Sequence, residues 1–129
     1  MAKDGTKKSL KIVIADDDTA LCDYLEAVIS RTPHKVVGKA QDGRQALQLI
    51  DTMKPDLVFM DLAMPHMSGI EAIYLARKKG MQGKIIATSD FAIDQTIHEV
   101  LMAGADEFLA KPFSPKEAQK LLERRSAAP

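Results

Sequence analysis

Five times along the chain a short apolar run gives way to a helical pattern, and this alternation restricts the fold more than any other feature. Leu10 to Ala15 leads into Leu21, Leu25, Val28 and Ile29, which share one helical face. Val36 to Ala40 precedes Asp42 and Gln45, whose spacing is that of a capping box ahead of Ala46, Leu47, Leu49 and Ile50; the helix is predicted to end near Met53, before Pro55. Leu57 to Met60 is apolar throughout, as a strand covered on both faces must be, and it stops at Asp61. Ser68 and Glu71 open a third helix that closes with Lys78, Lys79 and Gly80. Lys84 to Thr88 or Ser89 reads as a strand, followed by a helix through Ile93, Ile97, Val100 and Leu101 up to Gly104. Glu107 to Ala110 is a short fifth strand before Lys111-Pro112, and Ser114, Pro115 and Glu117 start a last helix through Leu121 and Leu122. Five βα units of this kind predict an α/β fold, doubly wound, with a parallel sheet and helices on both faces.

The length of 129 residues suits one domain, assigned to residues 10–125, with polar tails at 1–9 and 126–129. Lysine plus arginine equals aspartate plus glutamate at 18 each, so no global basic field points to nucleic acid or to an anionic membrane. Specific clusters must carry the functional argument. The single cysteine, Cys22, has no internal disulfide partner and reads as packing, and no run has the length of a membrane span or a signal-peptide core. The expected setting is the cytoplasm.

Right-handed crossovers with helices on both faces make 2-1-3-4-5 the natural strand order, which sets strands one and three side by side where ligands bind in such sheets. Strand one ends in Asp16-Asp17-Asp18 and strand three in Asp61, so the topology is expected to gather at least three carboxylates at one crevice. Ionised carboxylates that close cost several kcal/mol, on the order of the burial and like-charge penalties, unless a cation offsets them. A hard dication with oxygen ligands, Mg²⁺ or Mn²⁺, suits this set better than any histidine and cysteine combination would. Strand four delivers Thr88 and Ser89 to the same edge and strand five delivers Lys111, a hydroxyl and a cation suited to phosphoryl oxygens.

Taken together these residues resemble the receiver domains of two-component response regulators, and the likeness covers about Leu10 to Leu122. Asp16 and Asp17 are similar to the family's acidic pair. Asp61, Pro65 and Gly69 resemble the phosphoacceptor with its downstream proline and glycine, and Ala103 to Asp106 and Lys111-Pro112-Phe113 match two further motifs. The resemblance implies a flavodoxin-like fold and a signalling module rather than an enzyme. It implies that Asp61 takes a phosphoryl group from a histidine kinase or histidine phosphotransfer protein, with Asp16, Asp17, Asp61 and the backbone carbonyl of Ala63 around the metal and Lys111 on the phosphoryl group. Ser89, counted back from Lys111, falls at the switch hydroxyl, with Thr88 as the alternative, and Phe108 at the aromatic switch position. Rearrangement of the face built from helix four, strand five and helix five would then control docking of a downstream target, and a phosphorylation-linked homodimer stays open. Three positions depart from the family or bear on lifetime. Asp90 stands where a small residue is usual, and Ala63 and Phe91 occupy positions that influence how water reaches the acyl phosphate, yet neither side chain can hydrogen-bond a water.

Plainer readings stand beside these. Aspartates before a helix serve as N-caps, the preferred reading for Asp18. Ser89 could cap the following helix, Lys111 could be a solvated lysine, and Phe108 could be fixed core. His34, His66 and His98 form no metal-ligand spacing, and the methionines read as core filler. Two rival functions differ in class. A pseudo-receiver would dock partners without phosphorylation. A haloacid-dehalogenase-type phosphatase is similar at Asp16-Asp17-Asp18-Thr19, but Ala20 stands where that family has Thr or Val, and Asp61 would then have no role.

Overall fold

The computed structural model describes residues 9–127, with side chains through residue 123. Of the expected tails, residues 1–8 and 128–129 lie outside the described residues, and α5 runs on through Ala127. The elements are β1 (Lys11–Ala15), α1 (Thr19–Ile29), β2 (Lys35–Ala40), α2 (Gly43–Met53), β3 (Leu57–Asp61), α3 (Gly69–Lys78), β4 (Lys84–Ser89), α4 (Asp94–Ala103), β5 (Glu107–Ala110) and α5 (Pro115–Ala127). All pairings are parallel and the sheet order is β2-β1-β3-β4-β5, the doubly wound order expected. Among the described residues, no helix is long and apolar enough to cross a membrane.

The unbroken apolar runs make sense once the strand residues are sorted by face. Ile12, Ile14, Leu57, Phe59 and Ile86 point into a core shared with α1 and α5, where Leu25, Ile29, Leu121 and Leu122 meet them. Their neighbours Val13, Ala15, Val58, Met60, Ile85 and Ala87 point into a second core shared with α2, α3 and α4. Alternate residues therefore bury on opposite sides of one sheet, and every residue of β3 is buried. Phe59 is 1% exposed, so truncation to alanine would cost about 3–5 kcal/mol.

The predicted caps form with differences in detail. Ser114 and Glu117 make a full capping box, Glu117 N–H donating to Ser114 Oγ at 3.1 Å and Ser114 N–H to Glu117 Oε1 at 2.8 Å. At α2, Asp42 accepts the Gln45 N–H at 2.8 Å, while Gln45 reaches back one residue further, to the N–H of Gln41 at 2.8 Å. Asp18 caps α1, accepting from Ala20 and Leu21. The end of α2 carries a conformational cost, because Lys54 closes it in the left-handed region with φ 47° and ψ 60°, which side chains with a Cβ disfavour. Replacing Lys54 with glycine is expected to raise stability by about 0.5–1 kcal/mol, seen as a higher urea midpoint at unchanged slope. A lower midpoint would show that the lysine side chain contributes more than its backbone costs.

Candidate functional site

The site is a product of register. Ala15 pairs with Met60, so Asp16 and Asp61 follow at one level on adjacent strands, with Asp61 itself paired to Thr88. Asp16 is 2% exposed and Asp61 4%, whereas Asp17 is exposed. One carboxylate oxygen from each of the three lies within 4.8 Å of the others. Asp16 is held on all sides: its N–H donates to the Ala40 carbonyl at 2.9 Å, its Oδ1 accepts the Asp18 N–H at 2.9 Å, and its carbonyl accepts the Cys22 thiol at 3.3 Å. Lys111 arrives from beyond β5, its N–H donating to the Ser89 carbonyl at 2.9 Å. Its ammonium donates to Asp16 Oδ2 at 2.7 Å and to Asp61 Oδ1 at 3.1 Å.

One ammonium facing three carboxylates leaves an excess of two negative charges when all are ionised, the charge of one divalent cation. The imbalance falls on Asp61. Burial, followed by the charge of Asp16, pushes its carboxyl up to about 6, and Lys111 together with the Ala63 backbone N–H only partly opposes this. Burial alone would lower the Lys111 ammonium, but its hydrogen bond to Asp16 and the charge of Asp61 outweigh that and hold it above its ordinary value.

The loop after β3 is folded tightly around the carboxylate. Gly69 N–H donates to the Leu62 carbonyl at 3.0 Å, and a Cβ there would collide with the Asp61 carbonyl oxygen and lie 2.8 Å from Leu62 Cα. Only glycine allows α3 to start so close to the strand it follows. His66 takes φ 68°, and Met67 N–H donates back to the Pro65 carbonyl at 2.7 Å, a tight three-residue turn.

Of the residues singled out from the sequence, Asp16, Asp17, Asp61 and Lys111 converge, and Ala63 adjoins them through its N–H. Ser89 is 5% exposed and Thr88 2%; Ser89 pairs with Ala110, directly before Lys111. The Ser89 hydroxyl does not cap α4: it accepts the Phe91 N–H at 3.0 Å, and the helix starts at Asp94 with Ile93 as N-cap. Phe108 is half-buried and pairs with Ala87. Sequence reading missed three features. The Cys22 thiol bonds the Asp16 backbone, and the Lys111-Pro112 bond is cis. Arg77 ties Gly104, Met81, Gly83 and Asp106 together with bonds of 2.8–2.9 Å. For Arg77 the available signal was an arginine in the last turn of a helix, which the dipole alone explains.

A doubly wound sheet with an acidic crevice at its switch point, and a lysine closing it from the last strand, defines the class of receiver-type α/β domains. The family model of the response regulator receiver domain matches residues 12–123. The chemotaxis protein CheY of Thermotoga maritima is 34% identical over 116 residues, covering 90% of this chain and 97% of CheY. The nitrate/nitrite response regulator NarL of Escherichia coli is 33% identical over 117 residues, covering 90% of this chain but 54% of NarL. Among solved structures, the response regulator domain of Thermotoga maritima CheB matches with TM-score 0.82 at 31% identity, over 92% of this chain and 94% of that one. The receiver domain of the NarL regulator from Mycobacterium tuberculosis matches with TM-score 0.87 at 25% identity, over 94% and 99%. The chain belongs to the response regulator receiver domain family of two-component systems.

Because Asp61 binds its proton more tightly folded than unfolded, the stability it contributes is present below pH 3.8 and is lost as pH rises through about 6. Without divalent cations, Asp61→Asn is therefore expected to be more stable than the parent by about 1–3 kcal/mol at pH 7, an advantage that disappears towards pH 4. Urea titrations across that range check it, and a pH-independent difference would contradict the assigned strain.

Proposed function

We propose that this chain is a phosphoacceptor switch in which Asp61 takes a phosphoryl group from a phosphohistidine on a histidine kinase or phosphotransfer protein. The observation that carries the reading is the pairing of Lys111 with both Asp16 and Asp61 in a crevice that keeps an excess of negative charge. The three clustered oxygens of Asp16, Asp17 and Asp61 fit one Mg²⁺ or Mn²⁺ ion, with the Ala63 carbonyl as a further ligand. When bound, such an ion offsets the charge on the transferring phosphoryl oxygens.

An Asp61 carboxylate oxygen then attacks phosphorus in line with the departing imidazole nitrogen; the O–P bond forms, the P–N bond breaks, and the imidazole keeps the electron pair. Lys111, already donating to Asp61, is in reach of the phosphoryl oxygens of the acyl phosphate that results. The Ser89 hydroxyl, with Thr88 as the alternative, would bond a third oxygen. Phe108 lines a cleft of about 780 Å³ beside Ile97 and Leu101 on α4, with the Lys84–Glu107 and Arg77–Asp106 ion pairs in its wall. That space supports a change in Phe108 and α4 that alters docking of a target protein, a shift between two populations rather than new folding.

Acetyl phosphate with Mg²⁺ followed by intact mass is expected to add one phosphoryl group to the parent and none to Asp61→Asn. Cation affinity, followed by competition with a fluorescent chelator, should weaken as pH falls through about 6, since the proton competes for Asp61. No labelling and no cation binding would leave the docking-only reading. Once formed, the acyl phosphate should be comparatively long-lived, because neither Ala63 nor Phe91 offers a side-chain group to position a water. The decay of labelled protein without partners measures this: replacing Ala63 with Asn should shorten the lifetime several-fold, and rapid loss from the parent would refute it.

A further inference from the structure

At the edge of the sheet opposite Asp61, the ends of α2 and α3 and the loops that follow them enclose a cavity of about 390 Å³. Pockets that take small organic ligands span about 300–1,000 Å³. The lining has two characters. Leu47, Ile50, Ala76 and Met81 supply apolar surface, and Leu47 and Met81 are only half-buried, while Lys54 and Lys79 place cations beside them. The walls are fixed. Arg77 Nη1 donates to the carbonyls of Met81 and Gly83 at 2.9 and 2.8 Å, and Lys84 N–H donates to the Asp56 carbonyl at 2.9 Å. Gly83 sits so close to the loop between α2 and β3 that a Cβ on it would come within 2.6 Å of the Pro55 carbonyl oxygen. Arg77 thus holds the loop that backs the cavity, and the space is preformed rather than opened by a mobile segment.

Lys54 is spare to the fold. Its backbone sits at φ 47°, where glycine is the unstrained choice, so a lysine there costs stability. The end of α2 does not need its charge, because Lys11 Nζ already donates to the Met53 carbonyl at 2.8 Å. Of the two carboxylates in the lining, Asp51 faces Lys79 at 3.6 Å and Asp56 turns to β1, accepting the Lys11 N–H at 2.8 Å. Among the described residues Lys54 has no ion pair. The surrounding edge has the same sign: Arg31, Lys35 and Lys78 are exposed there and, among the described residues, also lack a carboxylate partner. We propose that this cavity binds a small amphipathic monoanion, an aliphatic or aromatic carboxylate whose apolar body lies on Leu47, Ile50 and Met81 and whose head meets Lys54. Such a ligand covers apolar wall now open to water and supplies the charge that Lys54 lacks. A neutral molecule of the same shape gains only the burial, and a cation is repelled. The acidic crevice at the other edge turns the same anion away, so charge selects one end of the sheet. The site is independent of the phosphoacceptor reading.

Octanoate, with n-octanol and n-octylamine as its neutral and cationic counterparts, tests the site on the whole chain by mapping amide chemical shifts. Octanoate is expected to move the signals of residues 47–56 and 76–83 with a dissociation constant of about 1 mM. It should bind about three- to tenfold more tightly than octanol, with octylamine the weakest of the three. Lys54→Gly removes the amine and relaxes the backbone, so this variant is expected to fold at least as stably as the parent. It should weaken octanoate by the same factor and leave octanol unmoved, while Lys54→Arg keeps the preference for the anion. Equal affinity for the three probes, or an octanoate affinity untouched by Lys54→Gly, would overturn the proposal. Shifts centred on Phe108 and α4, where the larger cavity lies, would overturn it as well, and so would the absence of any shift at about 10 mM octanoate.

Discussion

The bond from the Lys111 ammonium to Asp16 and Asp61 is the contact on which the rest of the site depends. Two carboxylates almost fully out of solvent on neighbouring strands repel each other, and little water is present to screen them. The lysine comes from the far side of β4, and its backbone is pinned to Ser89 before its side chain crosses to the acidic pair. Three strand ends are thus joined through one charged group. An apolar replacement of the same length would keep the packing and leave the two buried charges facing each other without a partner, the more damaging loss.

That neutralisation is partial, and an excess of negative charge remains in the crevice. With a full complement of lysines the carboxylates would be satisfied and inert. With none, nothing but the Ala63 N–H would oppose the burial and the Asp16 charge that raise the Asp61 carboxyl. One lysine against three carboxylates leaves Asp61 near the point where a divalent cation, rather than a proton, is the better companion. Asp61 is also held on rigid elements: β3 is buried throughout, and Gly69 packs α3 against the carbonyl of the same residue.

Much of this was legible in the sequence because it depends on local patterns and topology. The apolar runs announced the strands, Asp42, Ser68 and Ser114 announced helix starts, and the crossover rule then brought Asp16 next to Asp61 without any coordinates. What could not be read depends on contacts between residues distant in the chain or on single backbone angles. Arg77 bonds to three carbonyls and to Asp106, partners from two separate loops that no periodicity predicts. Among the non-glycine residues described, positive φ falls on Lys54 and His66, and nothing in the local pattern marks Lys54 for it. The boundary of α4 was placed through Ile93, since the apolar spacing continues there, but spacing reports which face an isoleucine occupies and not whether that face is covered.

This last discrepancy is informative about how the fold divides its work. Ile93, Ile97 and Leu101 have the spacing of a core-facing stripe, yet Ile93 and Leu101 are exposed, so the pattern promises burial that the single chain does not supply. A local preference that the tertiary structure leaves unmet is more often found at functional surfaces than in cores, where each level of organisation agrees with the next. The strands here are packed from both sides and hold the acidic cluster at their ends; α4 contributes almost none of the core. Burial in such a domain is unevenly distributed, with α4 holding the smallest share of it among α1 to α4. A helix that buries one residue of ten has little packing to lose if it shifts, whereas a shift of the sheet would disturb both cores at once.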